Sequence, residues 1–164
     1  MASADGHRSQ PFSTSQRLMR VRHRVRAFSD DVYVEWGMSL ECPFCTMETR
    51  RIVASNSMAF AIRDGYPVSP GHTLAIPNRH VGSFFDLSPQ EHDALFEVIR
   101  EQKRVLDREF SPHAFNIGIN DGPAAGQTVF HVHVHLIPRY RGDVADPRGG
   151  VRWVLPGAAR YWKD

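Results

Sequence analysis

The chain has 164 residues, 41% of them hydrophobic and 23% charged, and a formal net charge of +2. That length suits one domain with a substantial core, and no apolar run approaches the roughly 18 residues of a membrane span. The small net charge creates no demand for a polyanionic partner, and two cysteines in a single Cys42-Pro43-Phe44-Cys45 cluster exclude a disulfide framework. Such spacing belongs to metal or redox chemistry in a reducing compartment, so a cytoplasmic protein is expected.

Residues 1–37 differ from the rest in composition. Ser, Gln and Arg dominate early, and Arg20-Val21-Arg22-His23-Arg24-Val25-Arg26 is strongly basic. This stretch reads as a solvated or disordered extension. A phosphate-backbone contact arm, and with it a nucleic-acid partner, is the alternative. Residues 38–140 read as one compact domain and 141–164 as a tail. Residues 52–55 and 58–63 have short-strand character and are joined at Asn56. Residues 65–71 carry Pro67, Pro70 and two glycines and predict a loop; residues 72–77 predict a third strand. Ser88-Pro89-Gln90-Glu91 is a helix start, with Ser at the N-cap, Pro at N1 and Glu at N3. Leu95, Val98, Ile99, Val105 and Leu106 recur at helical spacing. The helix is predicted to run to about Glu109 and to stop before Ser111-Pro112, with His92 exposed in its first turn. Residues 114–119 predict a strand with Phe115, Ile117 and Ile119 on one face, and Asn120 to Gly126 a turn-rich loop. Strands, one long helix and strands again give an α+β domain with a mostly antiparallel sheet.

The most informative stretch follows that loop: His131-Val132-His133-Val134-His135-Leu136-Ile137. Strict alternation predicts a strand, here ending at Pro138. Side chains two apart share a face, so the three imidazoles line one side while Val132, Val134 and Leu136 pack the other. Near neutral pH imidazole serves as nucleophile, proton shuttle or metal ligand, and three in register are hard to explain as packing alone. Cys42 and Cys45 fill two corners of a tetrahedral zinc site but need two more ligands; a redox pair and buried free cysteines are the rival readings. In the tail, Val151, Trp153, Val154 and Leu155 suit either a contact with a second subunit or an intrachain strand.

Gly126-Gln127-Thr128-Val129-Phe130 followed by the three histidines, with Pro70-Gly71-His72 upstream, resembles the histidine-triad (HIT) superfamily of nucleotide hydrolases and transferases. The similarity runs from about Cys42 to Arg139 and is nearest to the fragile-histidine-triad branch, whose members split dinucleoside polyphosphates. The resemblance implies a HIT-like fold, a homodimer and a nucleotide substrate. It implies His133 as nucleophile, with His135 and Gln127 holding phosphate oxygens. It implies that His72 fixes the tautomer of His133. It further implies Asp64 on the ribose hydroxyls, and Asn120 and Thr128 at the phosphate site. The bacterial zinc-containing members imply a structural zinc on Cys42, Cys45, His80 and His131. The expected activity is cleavage at the α-phosphate of a dinucleoside polyphosphate such as diadenosine tetraphosphate. A nucleoside phosphoramidase, a nucleotidyltransferase or phosphorylase, and a non-catalytic nucleotide-binding module are the alternatives. Thr128, where phosphoramidases often carry Ser, favours the first reading.

Overall fold

The computed structural model describes residues 41–162, all within the unit Ser39–Asp164. The basic 20–26 run lies outside the described residues. Five strands, β1 (Ile52–Ser55), β2 (Ala59–Arg63), β3 (Thr73–Pro77), β4 (Ala114–Gly118) and β5 (Val134–Arg139), form one sheet in the order β1-β2-β3-β5-β4. Every neighbouring pair is antiparallel. One long helix, α1 (Pro89–Phe110), lies between β3 and β4 in the chain, and a single short turn, α2 (Pro156–Ala159), lies in the tail. No helix among the described residues is long and apolar enough to cross a membrane.

The central strands are buried on both faces, and their two sets of side chains differ in size. Ala59, Ala61 and Ala75 face α1 and join Leu95, Val98, Ile99 and Leu106 in one core. Phe60, Ile62, Leu74 and Ile76 form a second core on the opposite face, covered by Phe44, Met47 and Ile52. Small side chains under the helix let its axis come close to the sheet without voids. Asn56 makes the β1–β2 turn: its Oδ1 accepts the Met58 and Ala59 amides, and its Nδ2 donates to the Ala94 carbonyl of α1.

The predicted helix start is realised as a capping box between Ser88 and Glu91. The helix ends at Phe110, one residue beyond expectation, with Ser111 left-handed at φ 49° before Pro112. His92 departs from its predicted exposure: its Nε2 sits 3.0 Å from the Phe84 carbonyl and its ring packs on Phe84. Gly71 has φ +82°, and a Cβ there would lie 2.8 Å from Leu106 Cδ2, so the turn that delivers His72 passes tightly beneath the end of α1.

Two strand readings shift. Ile117, expected on the apolar face of β4 with Phe115 and Ile119, is 47% exposed on this edge strand, whereas those two pack against the helix-side core. The histidine strand begins at Val134 rather than His131 and ends at Arg139. The cause is on β3: Ala75 pairs with Val134, so the ladder would next reach Pro77, which has no amide to donate. Val132 donates instead to the Val81 carbonyl at 2.8 Å. The sorting of side chains survives, since Val132, Val134 and Leu136 all lie in the helix-side core. The tail forms a 3-10 turn (Gly150–Val154) and α2, not a strand, and leaves Val151, Val154 and Leu155 exposed.

Overpacking the face beneath α1 should be costly. Ala61→Leu is expected to destabilise the protein by about 1–3 kcal/mol, read as a lowered urea midpoint at unchanged m-value.

Candidate active site and metal-ligand group

Two backbone carbonyls set the chemistry of two histidines. His131 is fully buried, and its Nε2 lies 2.9 Å from the Pro77 carbonyl. A carbonyl only accepts, so Nε2 carries the proton and Nδ1 keeps its lone pair. His133 Nδ1 lies 2.8 Å from the carbonyl of His131. The same reasoning puts the proton on Nδ1 and leaves Nε2 of His133 as the basic, nucleophilic nitrogen. The His133 ring is flanked edge-on by Phe44 and His135, with centroids 5.3 and 5.1 Å away.

The lone pair of His131 points to the cysteines. Its Nδ1 is 3.4 Å from Cys42 Sγ and 3.6 Å from Cys45 Sγ, and Cys45 Sγ is 3.2 Å from His80 Nδ1. All four donor atoms lie within 4.8 Å of one another. A tetrahedral ion with bonds of about 2.3 Å to sulfur and about 2.0 Å to nitrogen has S···N edges of about 3.5 Å, so the donor set fits such an ion. Desolvation first, then the Cys42 thiol, pushes the Cys45 thiol above its ordinary range. A bound cation reverses that preference. Burial lowers the pKa of His131 against the opposing Pro77 bond, which keeps the ring neutral as a ligand must be.

His135 belongs to a second row. Its Nδ1 is 3.0 Å from His72 Nε2, and His72 Nδ1 is 3.2 Å from Asp64 Oδ2. The Val68 amide also approaches His72 Nδ1, at 3.4 Å. The closer, charged carboxylate takes precedence, so His72 Nδ1 donates to Asp64. His72 Nε2 then accepts from His135 Nδ1, and His135 Nε2 is left with a lone pair, buried and without a partner among the described residues. Burial, then the His133 and His72 rings, pulls the pKa of His135 down to about 4 despite Asp64. Burial also lowers that of His72, against the Asp64 charge.

These positions correct three readings made from the sequence. His72 supports His135 rather than His133, whose tautomer is set by the His131 carbonyl. Asp64 spends Oδ2 on His72 and Oδ1 on the Tyr66 amide instead of presenting both oxygens outward. Gln127 is 95% buried; its Oε1 accepts the Gly122 amide and its Nε2 donates to the Gly82 carbonyl. It therefore braces the loop rather than offering its amide to a ligand. Asn120 is half-buried and Thr128 exposed, and neither makes a side-chain hydrogen bond among the described residues. Sequence reading passed over Asp121. Its carboxylate accepts the Ser83 hydroxyl at 3.0 Å and the Phe84 amide at 2.6 Å. Asp121 and Gln127 together pin the loop before the histidines to residues 82–84. The Asp-Gly step signalled a turn but not its anchor. Phe44 gave no signal either, since its role depends on the histidine rings it meets.

The depressed histidines tie stability to pH. A folded-state pKa near 4 for His135, and a lowered one for His72, mean that the unfolded chain binds more protons between about pH 6.5 and about pH 4. Their contribution is complete above about pH 6.5 and is lost as the pH falls through that window. Melting temperature measured across it should drop, and should drop less steeply in the His135→Gln protein.

Comparison with known proteins matches this architecture. Residues 46–142 match the HIT domain model. The chain is 50% identical over 80 residues to the asymmetrical bis(5'-nucleosyl)-tetraphosphatase of Schizosaccharomyces pombe, covering 49% of this chain and 44% of that protein. It is 36% identical over 104 residues to an AP-4-A phosphorylase of Mycobacterium tuberculosis, covering 63% of this chain and 53% of the relative. The chain thus spans about half the length of these two relatives. The crystal structure of a Zn-bound histidine triad family protein from Mycobacterium smegmatis superposes with a TM-score of 0.59 at 32% identity, covering 66% of this chain and 82% of that one. With its histidine row, its antiparallel sheet and a domain match over more than half its length, the chain belongs to the HIT domain family.

Proposed function

We propose that the protein cleaves dinucleoside polyphosphates such as diadenosine tetraphosphate at an α-phosphate, through a nucleotidyl intermediate on His133. The observation that carries this reading is the 2.8 Å contact of His133 Nδ1 with the carbonyl of His131. It leaves Nε2 as a lone pair on a ring held in one orientation. In the first step Nε2 attacks the α-phosphorus, the P–O bond to the leaving polyphosphate breaks, and the electron pair departs on that oxygen. In the second step a water oxygen attacks the same phosphorus, the P–N bond breaks, and its electron pair returns to Nε2. His135 Nε2 faces the same side of the strand. It accepts a proton from the water or, once protonated, donates to a phosphate oxygen. Amides of the 120–128 loop, with Asn120 and Thr128, are the remaining phosphate contacts, and the lone pairs that Asp64 keeps beside its bonds to His72 and Tyr66 are the ribose contact. Similarity to the yeast tetraphosphatase supports the substrate class.

A second reading has a specific basis in the likeness to the mycobacterial phosphorylase. Inorganic phosphate, in place of water, then attacks the His133 adduct. Products separate the two: hydrolysis of diadenosine tetraphosphate yields AMP and ATP, and phosphorolysis yields ADP and ATP.

The proposal includes one zinc ion on Cys42, Cys45, His80 and His131, supported by the fit of the donor atoms and by the Zn-bound relative. Four protein ligands leave no open position, so the ion supplies structure rather than a reacting group. A homodimer belongs to the same proposal, with the exposed Val151, Val154 and Leu155 as candidate contacts.

His133→Ala should lower kcat by at least about a thousandfold while nucleotide binding changes little; near-normal turnover would end the covalent reading. Metal analysis should find about one zinc per chain, and Cys42→Ser should lower the melting temperature. A metal-free protein whose melting ignores strong chelation would contradict the zinc assignment.

A further inference from the structure

Beyond the histidine row, the same strand face runs into a half-open cavity. Ile137 lies two positions past His135 on β5 and so faces the same side of the sheet. With its cross-strand partner Asn116 it borders a cavity of about 610 Å3. Val68 and Ser69, on the loop leading to His72, form one wall; Trp153 and Arg160 of the tail form another. That volume falls in the range of about 300–1,000 Å3 typical of small-molecule sites. The histidine rings are not among its walls.

The tail is folded to make this wall. Gly149 and Gly150 have φ of +88° and +47°, and a Cβ on Gly149 would lie 3.2 Å from the Trp162 ring. The indole N–H of Trp153 donates to the Arg148 carbonyl at 2.8 Å. Arg148 in turn stacks on Trp162 at 4.6 Å and pairs with Asp146. Trp153 is therefore fixed before any ligand arrives, which lowers the entropy cost of binding. Among the described residues the buried Ser69 hydroxyl, which borders the cavity, has no hydrogen-bond partner. A buried hydroxyl without a hydrogen bond is costly unless a ligand completes it.

The walls suit a flat heteroaromatic ring. Trp153, Val68 and Ile137 offer apolar surface to its faces, and Ser69 and Asn116 offer polar atoms to its edge. Ile137 lies four positions past His133, which at about 3.3 Å per residue of extended chain is about 13 Å. A nucleoside bonded directly to the phosphorus at His133 begins within a few bonds of it. The cavity matches instead a nucleoside separated from that phosphorus by further phosphates. We infer that this cavity binds the second, leaving nucleoside of a dinucleoside polyphosphate, with Trp153 as its stacking surface. The inference rests on the reading of His133 as the site of attack at the α-phosphate.

Binding tests it without turnover. The probes are a diadenosine tetraphosphate analogue with methylene groups in place of its bridging oxygens, and AMP, each titrated into the full chain by calorimetry. Trp153→Ala should weaken the analogue about tenfold, the scale of one lost base–aromatic stack, and should alter AMP binding less than about twofold. Val68→Trp, at a rim position that is 72% exposed and tolerant of substitution, should block the cavity with the same selectivity. Equal weakening of both ligands, or unchanged analogue binding in both variants, overturns the inference. Failure of the enzymatic reading has a different signature: the wild-type protein leaves diadenosine tetraphosphate intact while analogue binding still depends on Trp153.

Discussion

The bond from His133 to the carbonyl of its neighbour-but-one is the contact on which the candidate site depends. It costs the protein no dedicated side chain. It orients the ring and chooses the tautomer, and it works only while residue 131 stays in place. His131 is held by its own ring, through the Pro77 carbonyl on one nitrogen and the cysteine pair beside the other. One residue thus faces two tasks. Its side chain anchors the segment to the Cys42–Cys45 turn, and its backbone presents the acceptor that directs the next histidine.

Burial decides the electrostatics of the rest. Three of the histidines, 72, 131 and 135, have lowered pKa values because desolvation outweighs their favourable partners. A neutral imidazole suits the proposed metal ligand His131 and the proton-accepting role of His135, since each needs a lone pair. Among the described residues, the carboxylate of Asp64 meets the row at His72. A phosphate group bound as proposed would then be held by the loop amides, with His135 Nε2 donating to it only once protonated.

Much of this was legible in the sequence because it follows from short-range rules. The capping box at Ser88 and the helical spacing of Leu95 to Leu106 report a local geometry that tertiary contacts then kept, and the alternation at 131–137 sorted its side chains correctly although the strand starts only at Val134. Gly71 was visible as a loop glycine, though not its reason, the approach of Leu106 from 35 positions away. What escaped was long-range partnership. Gln127 and Asp121 sit in a polar loop where ligand contact and loop bracing have the same composition; only the position of residues 82–84 separates them. The exchange of partners between His72, His133 and His135 was equally hidden. Adjacency across β3 and β5 depends on strand register, which Pro77 cuts short.

That truncation has a consequence in polymer terms. Past Ala75 and Val134 the two central strands part, one leading to His80 and the other coming from His131, and the cysteines bridge the gap between them. With the proposed metal ion in place, the four side chains would join distant parts of the folded chain. The Cys45–His80 link closes a span of 35 positions and the Cys42–His131 link one of 89. Closure entropy grows only with the logarithm of length, so the longer span costs only about 0.8 kcal/mol more to close on folding than the shorter. The fork between β3 and β5 can therefore be spanned over most of the domain's length at little more entropic cost than over a single hairpin and loop. This leaves sequence between the anchors free to lengthen without loosening the clasp.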